Sequence, residues 1–280
     1  MEKTIKITCE QEAYALIDDI TYTHVPFWYG ETERPLRLSL LLPKHKEDHR
    51  PLPLIVWLCG GAFRVMDRNV WIPQLTALAM SGYVVASVEY RTSHECPFPG
   101  ALMDIKAAIR FLRAHSGRYC IDPERVAVMG ESAGGTLAAL TGVTGGIAEY
   151  DQGDFTEYSS SVQKVVDFYG PTDMLHHPVD KARETVRIIE DFVDWDFEKT
   201  GKLASAVSYV EEGKALPEFL IFHGTADALV PIAQSELFYE KLIQTGHKAD
   251  FYKIEDAPHG SDLFYQKEII SLLKTFLWNH

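Results

Sequence analysis

The residues of this chain best suited to chemistry are a serine, an aspartate and a histidine, in that order along it. Ser132 stands in Gly130-Glu131-Ser132-Ala133-Gly134, between the apolar run Val126 to Met129 and the small-residue stretch Gly135 to Leu140. A buried strand that enters Gly-x-Ser-x-Gly and leaves as a helix is the setting that makes this motif a nucleophile turn. The turn strains the serine backbone, so the positions two before and two after it must lack bulk, and Gly130 and Gly134 meet that need. A serine hydroxyl needs a base to take its proton and an acid to fix the tautomer of the base. Asp227, just beyond the apolar run Phe219 to Phe222, is the candidate acid, and His259 in Ala257-Pro258-His259-Gly260 is the candidate base.

Other residues compete for these roles. Asp173 also follows an apolar run, Val165 to Tyr169, but it comes one strand too early. His223 ends a strand and reads as structural support, while His176 and His177 lie in a polar loop without the further ligands of a metal site. Glu131 is expected to be exposed at the turn, with its side chain directed away from Ser132 and its charge favourable near a helix start. Acyl transfer also needs preorganised N–H donors for an oxyanion, one after the nucleophile and others from the loop after an earlier strand. Ala133 supplies the first. The strand ending at Leu58 runs into Cys59-Gly60-Gly61-Ala62-Phe63, where the N–H groups of Gly61 and Ala62 are the expected partners and Gly60 shapes the turn. Cys59, at a strand end with no activating neighbour in sequence, is not expected to be a nucleophile. Phe63, Arg64 and Trp71 are further candidates for the pocket wall.

Positioning these groups requires a layered scaffold. Leu36 to Leu42 reads as a strand closed by Pro43, and Leu54 to Leu58, Tyr83 to Val88, Val126 to Met129 and Phe219 to Phe222 read as strands buried on both faces. Between them lie amphipathic helices, clearest in Leu102, Ile105, Ile109 and Leu112, and again in Ile269, Leu272, Leu273, Phe276 and Leu277. Alternating strands and helices predict an α/β fold, a mostly parallel sheet covered on both faces, and Tyr22 to Leu42 predicts an antiparallel hairpin at its edge. Residues 1–280 read as one domain, with no repeat or linker to divide them. The stretch 174–216 is an insertion between two strands, with an amphipathic helix from about Lys181 to Val193, and is expected to form a short cap over the pocket.

Composition narrows the partners. Hydrophobic residues at 46% and charged residues at 24% suit a chain that buries a sizeable core. With 27 Lys and Arg against 40 Asp and Glu, the formal charge of −13 repels polyanions, so neither nucleic acid nor an anionic membrane surface is an expected partner. The first residues lack the apolar core of a signal peptide, and no later run approaches the roughly 20 apolar residues that span a bilayer. The four cysteines, Cys9, Cys59, Cys96 and Cys120, are widely spaced and form no CxxC pair, which argues for reduced thiols in a cytoplasm.

Cys59 to Phe63, Glu89-Tyr90-Arg91, Phe98-Pro99, Gly130 to Gly135, Gly170 to Asp173, Gly224 to Pro231 and His259-Gly260 together resemble the α/β-hydrolase carboxylesterases. The likeness is strongest to the small bacterial carbohydrate esterases, which include acetyl and feruloyl esterases related to hormone-sensitive-lipase-like enzymes. It runs from about Leu36 to the C-terminus and is specific for fold and triad, weak for substrate. The resemblance implies Ser132, Asp227 and His259 as the triad and Gly61, Ala62 and Ala133 as the oxyanion donors. Two positions depart from the pattern: Cys59 where the family carries histidine, so the support of that loop must come from elsewhere, and Glu131 where aspartate is more usual. Glu89-Tyr90-Arg91 and Asp104 match family positions and read as packing and ion-pair elements.

The expected activity is hydrolysis of small carboxylic esters, acetyl or feruloyl esters of sugars among them, through an acyl-enzyme on Ser132, without metal or organic cofactor. The expected partner is a small-molecule ester, and a homo-oligomer is left open. Two other functions fit parts of the pattern: a prolyl-oligopeptidase-like peptidase, which would carry a large additional domain, and a hydrolase-fold binding protein without activity.

Overall fold

The hydrophobic alternation at the start of the chain produces a long hairpin before any parallel strand forms. The computed structural model describes residues 1–8, 12–48, 50–175 and 183–278. Its first strands, β1 (Tyr14–Phe27) and β2 (Thr32–Pro43), pair antiparallel, as the sequence predicts. There follow β3 (Leu52–Leu58), α1 (Ile72–Ala79), β4 (Val84–Val88), α2 (Gly100–Ala114), the short α3 (Ser116–Tyr119), β5 (Ile121–Glu131) and α4 (Ala133–Val143). Then come β6 (Lys164–Phe168), α5 (Arg183–Phe192), β7 (Glu218–Gly224), α6 (Ala233–Gln244), β8 (Ala249–Ile254) and α7 (Lys267–Phe276).

The eight strands form one sheet in the order β1-β2-β4-β3-β5-β6-β7-β8. β2 meets β4 antiparallel, and the pairs from β4 through β8 are parallel. Every residue of β3 is buried, which accounts for its uninterrupted apolar sequence: a central strand covered by helices on both faces has no wet side. Its alternation then decides only which layer each side chain joins. Leu54, Val56 and Leu58 pack with Leu102, Ile105 and Ile109 of α2 and with Leu137 of α4, whereas Ile55 and Trp57 pack with Leu75 of α1 and Leu273 of α7.

The strand order also places the site. From β3 the chain goes to β4 on one side and later returns to β5 on the other, so the winding direction reverses between β3 and β5. At such a switch point the loops leaving the two carboxyl ends diverge and open a crevice. Leu58 pairs with Gly130 at the ends of these strands, so the glycine loop 59–63 and the serine turn emerge side by side.

Candidate active site

Ser132 occupies the turn between β5 and α4 with φ 54° and ψ −122°, a conformation that costs a non-glycine residue energy and persists because its surroundings hold it. They do so closely. A Cβ on Gly130 would lie 2.2 Å from the carbonyl oxygen of Gly134, and one on Gly134 would lie 2.1 Å from that of Leu58. The N–H of Ser132 donates to Phe168 O at 2.9 Å, tying the turn to β6.

The hydroxyl of Ser132 is 2.9 Å from His259 Nε2, and His259 Nδ1 is 2.7 Å from Asp227 Oδ2. Because Nδ1 faces a carboxylate it carries the ring proton, which leaves Nε2 free to accept from the serine. Asp227 is held in turn by Leu229 N at 2.9 Å and Val230 N at 2.8 Å, both on Oδ1. His223, fully buried, places Nε2 3.0 Å from Val230 O and 3.3 Å from Asp227 Oδ2, so that nitrogen also bears a proton. Its Nδ1 meets Ser235 Oγ at 2.7 Å. Burial alone would raise the Asp227 pKa, but the hydrogen bonds from His223 and His259 outweigh it and hold the carboxyl well below the usual range. The support expected of His223 is therefore aimed at the acid itself. Asp173 is engaged elsewhere, accepting from Leu175 N at 3.0 Å and lying 3.5 Å from Ser205 Oγ. His176 and His177 lie outside the described residues.

The glycine loop takes a left-handed path, with φ 141° at Gly61, 54° at Ala62 and 57° at Phe63. A Cβ on Gly61 would lie 2.2 Å from Val65 O, so no other residue fits there. Gly61 O closes the loop by accepting from Arg64 N and Val65 N, each at 3.0 Å. Ala62 and Ala133 border the same small cavity as Ser132, where two predicted oxyanion donors stand, and Gly61 precedes Ala62 in the wall of that loop.

One expectation is corrected. Glu131 is buried, and its side chain turns inward beneath the glycine loop. Its Oε1 accepts from Gly60 N and from Trp71 Nε1, the latter at 3.1 Å. A strand-terminal residue points to one face or the other by the pleat, and at this position the pleat directs it to the loop that β3 releases next door. This contact, with Tyr90 Oη donating to Cys59 O, gives the loop the support that Cys59 does not. The Cys59 thiol lies 3.0 Å from Met66 Sδ, and burial pushes its pKa up to about 12. Glu89, Arg91 and Asp104 behave as ion-pair elements: Arg91 meets Asp104 at 2.7 Å and Arg34 meets Glu89 at 2.9 Å.

The cavity at Ser132 has a volume of about 50 Å³ and is bordered by Ala62, Phe63, Ala133, Pro171, Ile188, Ile189, Leu229 and Val230. Ile188 and Ile189 belong to α5, and the sequence alone did not single them out. Their helix is fastened beside the glycine loop. The Phe63 and Phe192 rings stack with centroids 3.9 Å apart, Arg64 donates to Asp191 Oδ2 at 2.7 and 3.1 Å, and Phe98 N donates to Phe192 O at 2.8 Å. A larger cleft of about 550 Å³ opens at the amino end of β6 and β7, beside Lys164, Glu218 and Trp278, away from the serine. Among the described residues no cluster of histidine, cysteine, aspartate and glutamate could hold a metal ion. No helix among them is long and apolar enough to cross a membrane.

A hydrogen-bonded serine, histidine and aspartate at the carboxyl end of a mixed eight-stranded sheet define the class, an α/β-hydrolase fold with a serine-type centre. Within that class the chain belongs to the BD-FAE family, whose model matches residues 38–242. It is 30% identical over 240 residues to esterase LipC of Mycobacterium tuberculosis, covering 84% of this chain and 59% of LipC. It thus spans less than two thirds of the length of such curated relatives. Among solved structures, a truncated carbohydrate esterase from gut microbiota superposes with a TM-score of 0.78 at 26% identity, covering 95% of this chain and 96% of that one. The propionate-bound esterase 2 of Thermogutta terrifontis does so with a TM-score of 0.72 at 25% identity, covering 92% and 90%.

Proposed function

We propose that this chain is a serine carboxylesterase for short acyl groups, with Ser132 as nucleophile, His259 as base, Asp227 as acid and the N–H groups of Gly61, Ala62 and Ala133 as oxyanion donors. The observation that carries this is the unbroken run from Ser132 Oγ through His259 to Asp227 Oδ2, opening on a small apolar cavity. His259 Nε2 takes the hydroxyl proton as Oγ attacks the ester carbonyl, and the carbonyl oxygen gains its charge against the loop N–H groups. Nε2 then gives the proton to the leaving alkoxide, and the same sequence with water in place of serine frees the acid. Asp227, kept ionised, stabilises the imidazolium formed at each step.

About 10–15 Å³ of such space holds one water-sized group, so the cavity takes roughly three to five heavy atoms. That favours acetyl to butyryl groups over a feruloyl ring. The propionate in the Thermogutta structure, a three-carbon acid, supports the same size, and the carbohydrate esterase neighbour supports acetylated sugars as substrates. We read 174–216, of which 176–182 lie outside the described residues, as a cap belonging to a single domain, since α5 supplies Ile188 and Ile189 to the cavity wall. The acidic net charge supports a small neutral ester rather than nucleic acid as partner, and the wide spacing of the cysteines, without a CxxC pair, supports the cytoplasm as compartment.

The test is hydrolysis of p-nitrophenyl acetate, butyrate and decanoate, with an aminoacyl p-nitroanilide as amide control. Rates should fall steeply beyond butyrate, the amide should be inert, and Ser132→Ala should lose both turnover and labelling by a fluorophosphonate probe. Full turnover by Ser132→Ala would overturn the assignment.

A further inference from the structure

The Glu131 carboxylate is a buried charge that the two-step mechanism above does not use. It is linked to His259 through Tyr169, whose hydroxyl meets the carboxylate and whose ring meets the imidazole. Oε1 accepts from Gly60 N in the oxyanion loop and from Trp71 Nε1 at 3.1 Å, and Oε2 lies 3.5 Å from Tyr169 Oη. The carboxylate rests on the Gly60 backbone so closely that a Cβ there would come within 2.6 Å of Oε1. Its surroundings are aromatic: Trp71 stacks on Tyr265 with centroids 4.6 Å apart, and Tyr169 meets the His259 ring edge-on at 4.7 Å. Charges in such a setting interact through little water and act on one another strongly. Burial raises the Glu131 pKa, and the Gly60 and Trp71 donors and the His259 charge partly offset this.

On this basis, and resting on the esterase reading above, we propose that Glu131 is a positioning residue with two tasks. Through Gly60 N–H it fixes the loop that carries the oxyanion donors, and through its charge it gives the His259 imidazolium a second counter-charge. It touches no substrate atom. The titratable groups around it are Cys59 from the β3 end, Tyr90 beyond β4, Tyr169 beyond β6 and Tyr265 from the turn Asp262–Tyr265, all neutral in their buried settings. The carboxylate bonded to His259 itself is Asp227, beyond β7. Removing the charge of Glu131 therefore leaves one counter-charge where there were two.

The experiment compares the full chain with Glu131→Gln, Glu131→Asp and Glu131→Ala on p-nitrophenyl acetate, with pH–rate profiles and fluorophosphonate labelling rates. Glutamine keeps an oxygen for Gly60 and Trp71 and directs its NH2 to Tyr169 Oη, so it removes charge and little else. Its kcat should fall about tenfold with KM unchanged, and the acid limb of the profile should move to lower pH because the protonated ring is less favoured. Aspartate keeps the charge but withdraws from Gly60: kcat should fall with the acid limb in place. Alanine should show both losses and slow labelling by about a hundredfold. An acid limb shared by Glu131→Gln and the parent overturns the electrostatic task, and parent-like labelling of Glu131→Ala overturns the loop task. An inactive parent enzyme, or an active Ser132→Ala, would instead overturn the esterase reading. Should Glu131→Gln fail to fold, the contrast between Glu131→Asp and Glu131→Ala in the acid limb decides the charge.

Discussion

Asp227→Asn is the substitution whose consequence follows most directly from the hydrogen bonds. Asp227 meets donors on every side: Leu229 N and Val230 N on Oδ1, and His259 Nδ1 with His223 Nε2 on Oδ2. An asparagine can serve the two backbone N–H groups only by turning its amide oxygen toward them. Its NH2 then faces the histidines. His223 tolerates this because Nε2 retains Val230 O at 3.0 Å. His259 does not, because its Nδ1 must become an acceptor and the ring proton moves to Nε2, the atom that should receive the Ser132 proton. The loss from such a tautomer reversal is about 10⁴ in kcat, or roughly 5 kcal/mol of barrier. The change swaps one oxygen for nitrogen in place, so the fold and KM should be retained. Steady-state hydrolysis of p-nitrophenyl acetate, with thermal melting as a control on folding, measures the effect. A folded Asp227→Asn variant within tenfold of the parent would refute the reasoning, because it would mean that His259 is oriented without the carboxylate.

Two further outcomes follow. Ile189→Ala removes three carbons from the α5 wall of the cavity, room for about three more methylenes at ~0.8 kcal/mol each. The hexanoate-to-acetate ratio of kcat/KM should rise up to about 50-fold, and an unchanged ratio would show that another wall sets the acyl limit. For Cys59, a thiol pKa pushed up to about 12 leaves roughly one molecule in 10⁴ as thiolate at pH 8, so iodoacetamide should leave activity intact. Inactivation that tracks alkylation of Cys59 would give the thiol a role.

Much of the scaffold was legible because buried parallel strands have a plain signature. β3 and β5 are apolar throughout where both faces are covered, and α2 repeats leucine and isoleucine at helical spacing. The meeting of Ser132 with its partners was legible for a related reason: a strained serine turn restricts its neighbours to glycine, so the constraint is written locally around Ser132. Asp227 and His259 lack such local marks, and chain order selected them. The direction of Glu131 was not legible. Its exposure depends on which loop lies across from the end of β5, and that loop comes from β3, about 70 positions earlier, so nothing near Glu131 in sequence announces Gly60.

By itself, then, the sequence determined the layered α/β fold, the serine turn and the order of its partners, since each is imposed by local sterics or by the periodicity of burial. The tertiary structure alone decided that Glu131 is buried against Gly60, that His223 shares Asp227 with His259, and that α5 closes the cavity with Ile188 and Ile189. These contacts join segments far apart in the chain. Their geometry is set by how strands are ordered in the sheet and how loops meet above it, which no short window of residues encodes.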